Sequence, residues 1–220
     1  MSEVQQLQIS EFPQVIDQSV RTPPPQTDYE IASAALNTWF NPSLLVFDCD
    51  WTLYPYDCDK DRLAPFSRTP WGEIRDAYYR PSDPYHSVPA IFGAIADAGI
   101  PVAFLSRNPS AGQVRNLLST IPCKTKTSLT PKTLWDTMPS HDYFHAYSSN
   151  NTPGKTRHFT AIKSITGLNF NTMLFFDDLP DNIKVAQRQG TTSVLLNNGL
   201  TLEAFLSGLE TWRTCNTPLE

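Results

Sequence analysis

The sequence predicts an α/β fold built on a doubly wound, mostly parallel β-sheet. Two observations lead to this prediction. From residue 44 onward, short apolar runs of strand length alternate with segments whose apolar residues recur at helical spacing. Polar residues also directly follow several of the apolar runs. The carboxyl ends of parallel strands are where such sheets bind their ligands, so the two observations agree.

Five apolar runs are predicted as strands. The first of them, residues 44–47, reads Leu-Leu-Val-Phe, a continuous apolar run that fits a strand buried on both faces. The five predicted strands cover residues 44–47, 101–105, 142–147, 172–176 and 192–196.

The segments around these strands are predicted to be helical. A first helix begins at Asp28, is expected to bury a stripe that includes Ile31, Leu36 and Trp39, and ends before Pro42. The later helices are predicted to begin at Ser87, ahead of Val114, at Lys155, at residue 180 and at Thr201, and three of them end at Gly99, Gly167 and Gly190.

The domain organisation follows from where this alternation begins and where it is interrupted. We expect a single α/β domain over residues 28–220, preceded by a flexible amino-terminal arm over residues 1–27 that contains three consecutive prolines. Residues 119–153 are polar and rich in Thr and Lys, and we interpret them as an insertion.

A second interruption, residues 53–86, is dense in Tyr, Pro, Asp and Arg and shows no clean periodicity. Long loops in compact domains are usually functional or disordered. We therefore interpret this segment as a flap that walls a substrate site with aromatic residues such as Tyr56 and Trp71. The alternative is a loop that only packs on the edge of the sheet.

Composition and charge exclude several classes of protein. The chain has 220 residues, of which 40% are hydrophobic, and a net charge of -5, so it is globular and lacks the basic field that nucleic acids attract. No apolar stretch approaches the length of a membrane span, the first residues do not resemble a signal peptide, and the four cysteines show no metal-binding or disulfide spacing. We expect a cytoplasmic monomer with reduced thiols and without a nucleic-acid or membrane partner.

Two carboxylates follow the first predicted strand directly. Alternation along the strand places Asp48 and Asp50 on the same side. Buried carboxylates at a strand end destabilise the fold unless something binds them, and a hard divalent cation such as Mg²⁺ prefers oxygen ligands of this kind. The alternative is that this Asp-x-Asp pair caps a helix or forms a surface turn.

Further polar residues occur where the other strands end. Ser106 and Arg107 follow the second strand, where a serine can also serve only to cap the next helix. Lys155 lies at the start of a predicted helix, where the helix dipole disfavours a cation, so a nearby anion is expected. Asp177 and Asp178 follow the fourth strand, and a divalent ion would relieve their mutual repulsion.

Four ordered motifs together resemble the eukaryotic magnesium-dependent phosphatases of the haloacid dehalogenase superfamily. The motifs are Val-Phe-Asp-x-Asp-x-Thr-Leu-x-Pro at 46–55, Ser-Arg at 106–107, Pro-Gly-Lys-x-x-His-Phe at 153–159 and Phe-Phe-Asp-Asp at 175–178. The resemblance extends over roughly residues 43–212 and implies a fold of this superfamily with a minimal cap domain or none. The long stretch between Ser106 and Lys155 and the amino-terminal arm depart from the family pattern.

The resemblance also implies a role for each motif residue. It implies that Asp48 is a nucleophile, that Asp50 is the acid and base, and that Ser106 and Lys155 bind phosphate, with Arg107 beside them. It implies further that Mg²⁺ is held by Asp48, by Asp50 through its backbone carbonyl, and by Asp178, with Asp177 as the alternative ligand.

The chemistry that these roles imply is hydrolysis of a phosphomonoester through an aspartyl-phosphate. The substrate is expected to be a phosphotyrosine-like group on a small molecule or phosphoprotein, a sugar phosphate, or another small phosphate such as a prenyl or lipid phosphate. Two other functions remain open at this point: a phosphotransferase that uses the same aspartyl-phosphate, and a module that binds phosphate without catalysis.

Overall fold

The computed structural model describes residues 26–128, 130–148 and 154–217. In chain order its helices and strands are α1 (Asp28–Leu36), β1 (Leu44–Phe47), β2 (Ser67–Arg68), β3 (Ile74–Arg75), α2 (Val88–Ala98), β4 (Val102–Ser106), α3 (Ala111–Leu118), β5 (Pro122–Cys123), β6 (Lys132–Thr133), β7 (Phe144–Ala146), α4 (Thr156–Thr166), β8 (Met173–Asp177), α5 (Pro180–Arg188), β9 (Thr192–Leu195) and α6 (Leu202–Asn216).

The centre of the fold is a five-stranded sheet in which every pair of neighbours is parallel, with the strand order β7-β4-β1-β8-β9. The chain builds the sheet outward from β1 to β7, then crosses back to β8 on the other side of β1. The order therefore reverses between β1 and β8, which is where sheets of this class form a ligand crevice. The predicted α/β class and all five predicted strands are confirmed.

Alternate residues of the strands supply two separate hydrophobic cores, one on each face of the sheet. Leu45 and Phe47 of β1 belong to the core shared with α1, α2, α3 and α6, and Leu44 and Val46 belong to the core shared with α4 and α5. Because all four residues are fully buried, β1 is covered on both faces, which explains its unbroken apolar sequence.

The first helix was predicted in the right place, and of its predicted buried stripe Leu36 is buried but Trp39 is not. Thr27 caps it, with its side chain accepting from the Glu30 N–H and Glu30 bonding back to the Thr27 backbone. The helix ends at Leu36, and its buried residues include Tyr29, whereas Trp39 is 92% exposed beyond the end of the helix. The predicted stripe had continued the helical spacing of apolar residues beyond Leu36 to Trp39, where the chain is no longer helical.

The segment 53–86 is folded around a buried carboxylate. Asp76 is 3% exposed and accepts hydrogen bonds from the backbone N–H groups of Leu63, Tyr78 and Arg80 and from the Arg80 guanidinium. These bonds lower the pKa of Asp76 although burial alone would raise it. The short antiparallel ribbon of β2 and β3 belongs to this segment.

The predicted insertion at 119–153 contains regular structure of its own. The antiparallel pair β5–β6 is followed by two 3-10 turns, Leu134–Thr137 and His141–Tyr143, which lead into β7 at the edge of the main sheet. Leu129 and residues 149–153 of this stretch lie outside the described residues, as does most of the predicted amino-terminal arm, residues 1–25. Among the described helices, none is long and apolar enough to cross a membrane.

Candidate active site

The carboxyl ends of β1, β4 and β8 meet at a cleft of about 300 Å³, and the residues that follow these strands line it. The loop after β1 and the start of α5 supply the remaining walls. The lining residues are Asp48, Asp50, Trp51, Asp57, Asp59, Lys60, Ser106, Arg107, Asn108, Pro109, Ser148, Asp178, Leu179 and Asn182. The cleft thus contains most of the residues that the sequence selected as site candidates.

Lys155 connects the two strand ends beneath the cleft. It is fully buried at the start of α4, and its ammonium group donates to Asp48 Oδ1 and, at 2.8 Å, to Asp177 Oδ2. Burial alone would lower the pKa of Lys155, but the charges of Asp177 and Asp48 raise it above its usual value, so the lysine stays charged. These two carboxylates are the anions that the position of Lys155 predicted.

Gly154 allows α4 to begin this close to α5. Its φ of +52° lies in the left-handed region, and a Cβ built there would approach Asp181 O and Val185 Cγ2 to 3.0 Å. A side chain at this position would be strained by the positive φ and would crowd the first turns of α5.

Asp48 lies at the cleft floor and is 7% exposed. Burial raises the pKa of Asp48 well above its usual value, and the Lys155 charge opposes this shift. The neighbouring carboxylates of Asp177 and Asp50 add to the rise. A cation in the cleft would relieve the same repulsion, so Asp48 has an electrostatic reason to bind one.

The two aspartates that follow β8 have different surroundings. Asp177 is fully buried, and its carboxylate accepts from the Leu179 N–H at 2.8 Å, from Asn182 Nδ2 at 2.9 Å to each oxygen, and from Lys155. Asp178 is half-buried and lines the cleft. Burial, followed by the charge of Asp177, raises the pKa of Asp178 to about 6.

These carboxylates form a group with the composition of a magnesium site. Asp48, Asp177 and Asp178 each offer an oxygen, and the three oxygens lie within 4.8 Å of one another. Lys155 balances only part of their charge, so the all-oxygen set and its excess negative charge both fit a hard divalent cation. The residues present therefore fit the ion that the sequence predicted.

Asp50 also lines the cleft, and two donors hold its carboxylate. The Cys58 N–H donates to Asp50 Oδ1 at 3.0 Å, and Asn108 Nδ2 donates to Asp50 Oδ2 at 2.8 Å. Burial raises the pKa of Asp50, although both hydrogen bonds oppose the shift. The Asp50 carboxylate lies outside the group of three metal-binding candidates, so its position suits proton transfer better than metal binding through the side chain.

Ser106 ends β4 and is buried at the cleft. Its Oγ accepts the Asn108 N–H at 3.1 Å, which leaves the hydroxyl hydrogen to donate elsewhere. The Ser106 carbonyl accepts from His158 Nε2 at 2.7 Å, and the His158 ring stacks on Tyr147 at 4.2 Å between centroids. Arg107 also lines the cleft, but its side chain is exposed.

Sequence reasoning did not assign a site role to two residues that organise this cleft. Asn108 contacts Asp50, and His158 contacts Ser106. A signal for each was present: Asn108 is two residues after Ser106, and His158 is one helical turn after Lys155. Asn182 also belongs to the cleft lining, and its Nδ2 donates to Asp177.

The predicted aromatic wall is not at the cleft. Tyr56 is 3% exposed, its hydroxyl donates to Ser82 O at 2.7 Å, and its ring stacks on Tyr54. Trp71 is 82% exposed and does not belong to the cleft lining. From residues 53–86, the cleft receives only polar side chains, those of Asp57, Asp59 and Lys60.

His158 makes the stability of the protein depend on pH. Burial, followed by the charge of Lys155, lowers the pKa of His158 to about 4. The unfolded chain therefore binds a proton at His158 between roughly pH 6.5 and pH 4 that the folded protein does not bind, so stability falls as pH falls through this range.

We expect the free energy of unfolding to fall between pH 7.5 and pH 5 by about 2 kcal/mol more in the wild-type protein than in a His158→Gln variant. Glutamine keeps a neutral donor for the Ser106 carbonyl but does not titrate. Urea unfolding at both pH values measures the difference. Equal pH dependence in the two proteins would contradict the neutral state of His158.

Comparison with known proteins identifies the family of this chain. A sequence profile of acid phosphatases matches residues 41–215. A human protein named magnesium-dependent phosphatase 1 is 29% identical over 176 residues, which cover 80% of this chain and 90% of that protein. An HAD-like hydrolase superfamily protein of Schizosaccharomyces pombe is 27% identical over 169 residues, covering 75% of this chain and 92% of that protein. The match over residues 41–215 shows that this chain belongs to the acid phosphatase family of the haloacid dehalogenase superfamily.

Proposed function

We propose that this protein is a magnesium-dependent phosphomonoester phosphatase that acts through an aspartyl-phosphate on Asp48. The observation that carries the proposal is that one nucleophile candidate and one proton donor candidate line the same cleft, each held by its own partners. Asp48 is held by Lys155 at the cleft floor, and Asp50 is held by Asn108 and by the backbone of Cys58. Membership of the acid phosphatase family supports the same reaction.

In the first step, an oxygen of Asp48 attacks phosphorus and the bond to the leaving oxygen breaks. Asp50 gives its proton to that leaving oxygen, which the raised pKa of Asp50 favours. In the second step, Asp50 takes a proton from water, and the water oxygen attacks phosphorus and releases Asp48. Inorganic phosphate leaves, and both carboxyl groups return to their starting states.

Other residues position the phosphate during both steps. The Ser106 hydroxyl hydrogen is available to a phosphoryl oxygen, because Ser106 Oγ accepts the Asn108 N–H. Lys155 holds Asp48 in place and offsets its charge. Mg²⁺, when bound by Asp48 and Asp178, supplies the further positive charge that lets a carboxylate approach a phosphate dianion.

The substrate is proposed as a small phosphomonoester or a phosphotyrosine-like group presented to the cleft. The cleft holds about 300 Å³, at the lower end of the range of small-molecule pockets. The lining residues from the loop after β1 include Asp57, Asp59 and Lys60, which do not favour a long prenyl or lipid chain. The monomeric state and the cytoplasmic location stay predictions of the sequence.

The test of this function is Mg²⁺-dependent release of phosphate together with trapping of the intermediate. Reduction of a working enzyme with borohydride converts an aspartyl-phosphate to homoserine, and peptide mass spectrometry then locates the modified residue. We expect the modification at Asp48 and not at Asp50. Turnover without Mg²⁺, or a trapped residue other than Asp48, would contradict the proposal, and phosphate transfer to added alcohols would favour a phosphotransferase.

The two aspartates after β8 are expected to respond differently to replacement. In an Asp178→Ala variant, the Mg²⁺ concentration for half-maximal activity should rise by more than the ~10–100-fold typical of losing a group that only supports a ligand. Asp178 lines the cleft, whereas the oxygens of Asp177 already accept from Lys155, Asn182 and Leu179.

An Asp177→Ala variant should mainly lose stability, by ~3–5 kcal/mol, because it leaves Lys155 with one fewer partner in a buried ion-pair network. Activity titrated with Mg²⁺, alongside thermal unfolding, separates the two effects. A larger shift in the Mg²⁺ requirement for Asp177→Ala than for Asp178→Ala would reverse the assignment.

A further inference from the structure

The residue after Asp50 has a backbone conformation that its side chain disfavours. Trp51 has a φ of +58°, in the left-handed region that glycine occupies without strain and that bulky residues occupy rarely. Such a conformation persists only where the surrounding structure fixes it, and it is concentrated at functional sites. The identity of the side chain at this position therefore needs an explanation.

The backbone on both sides of Trp51 is fixed by hydrogen bonds. The N–H groups of Thr52 and Leu53 donate to Cys49 O at 3.3 and 2.8 Å, and the Thr52 carbonyl accepts from the Leu200 N–H at 2.9 Å. These bonds define the turn that carries Asp50 into the cleft. The turn requires the positive φ but does not require an indole, since a glycine would satisfy the same backbone geometry.

The side chain of Trp51 is only about half-buried. It is 48% exposed and lines the cleft, as does Leu179, which is 43% exposed at the start of α5. Among the described residues that line the cleft, all except these two and Pro109 are polar or charged. Trp51 is therefore the largest apolar side chain in the described part of the lining, and it is next to the proposed proton donor.

We propose that Trp51 is the specificity-determining residue of the cleft, a platform on which the planar, apolar leaving group of a phosphate ester stacks. This proposal rests on the proposed function. In the proposed mechanism Asp48 and Ser106 contact the phosphoryl group and Asp50 delivers a proton to the leaving oxygen, so the carbon skeleton attached to that oxygen lies near Asp50 and the residue that follows it. An indole there offers a rigid flat surface, which favours flat ring systems over branched or charged ones.

The kinetic test compares two esters whose leaving groups have similar acidity but different shapes, 2-naphthyl phosphate and hexafluoroisopropyl phosphate. In a Trp51→Gly variant, kcat/KM for the naphthyl ester should fall by about tenfold or more, mainly through KM, because a stacked ring contact is lost. For the branched ester it should stay within about twofold. Trp51→Phe should keep most of the naphthyl preference, and Trp71→Gly, which removes an exposed tryptophan outside the cleft, should change neither ester.

Thermal unfolding shows whether the glycine variant keeps the turn, so that a loss of activity can be assigned to the missing side chain. Because φ at residue 51 is positive, Trp51→Gly should have a higher Tm than Trp51→Ala. The φ of Trp71 is not positive, so Trp71→Gly should not have a higher Tm than Trp71→Ala. A Trp51→Gly variant that loses activity on both esters equally would show that the residue only shapes the turn, and this result would overturn the proposal.

Binding of a non-hydrolysable ester analogue distinguishes failure of the platform from failure of the proposed function. Calorimetric titration with naphthylmethylphosphonate in the presence of Mg²⁺ should show weaker binding to Trp51→Gly than to the wild-type protein and unchanged binding to Trp71→Gly. If the wild-type protein binds the phosphonate in this way but hydrolyses neither ester, the proposed function fails and the platform stands. If the wild-type protein and Trp51→Gly bind the phosphonate with equal affinity, the platform is overturned, whether or not the esters are hydrolysed.

Discussion

Replacement of Asp48 by Asn is expected to reduce turnover by roughly 10⁴-fold or more, the order of loss seen when a catalytic nucleophile is removed. The amide is nearly the same size as the carboxylate but is a poor nucleophile toward phosphorus. The substitution also replaces one of the three carboxylates that could hold a metal ion by a neutral amide. Steady-state phosphate release at saturating Mg²⁺ measures the effect.

The control for this variant is Asp181→Asn. Asp181 lies on α5, only three residues after Asp178, but its side chain is 83% exposed and faces Lys184 at 3.5 Å. This variant should keep wild-type activity, and both variants should remain folded in thermal unfolding. Turnover close to that of the wild-type protein in a folded Asp48→Asn variant would disprove the assignment of Asp48 as nucleophile.

The sequence was sufficient to predict the sheet and the positions of the site residues along it. A strand buried on both faces must be apolar throughout, so β1 and β8 could be recognised from composition alone. Each of these strands ends in carboxylates. In a parallel sheet the carboxyl ends of neighbouring strands lie at one edge, so these carboxylates had to meet.

For Lys155 the sequence indicated a nearby anion, but it did not indicate that the lysine would be buried or which anions it would contact. A cation at the beginning of a helix is unfavourable by itself, which indicated a nearby negative group but not which one. The partner Asp177 lies 22 residues away and the partner Asp48 lies 107 residues away. Their contact with Lys155 depends on how α4 packs against one face of the sheet, and no local pattern encodes that packing.

The long loop after β1 could not be predicted because its partners are distant in sequence. The backbone N–H groups of Ala64 and Phe66 donate to the side-chain oxygens of Gln113 and Asn116, which lie on α3 about fifty residues later. Asp76 then organises the turn around Tyr78 and Arg80. The aromatic residues of this loop indicated a substrate wall, but the buried hydrogen bond of Tyr56 shows that packing uses at least this one.

Replacement of Asp50 by Asn is expected to reduce turnover by an amount that depends on the leaving group. For an alkyl phosphate, whose leaving oxygen needs a proton, we expect a loss of roughly 10²–10⁴-fold, the usual contribution of a positioned general acid. For 4-nitrophenyl phosphate, whose leaving group is stable as an anion, the loss in the first step should be much smaller. A plot of log(kcat/KM) against leaving-group acidity should therefore become steeper in the variant.

Asn108 provides the matched test of this acid role. Its Nδ2 donates to Asp50 Oδ2 at 2.8 Å, and this bond favours the ionised form of Asp50. An Asn108→Ala variant should thus raise the pKa of Asp50 and move the descending, high-pH limb of kcat/KM for alkyl phosphates to higher pH, because Asp50 must be protonated to act as an acid. An equal loss on aryl and alkyl phosphates in Asp50→Asn, together with an unmoved limb in Asn108→Ala, would leave Asp50 as a structural residue of the cleft.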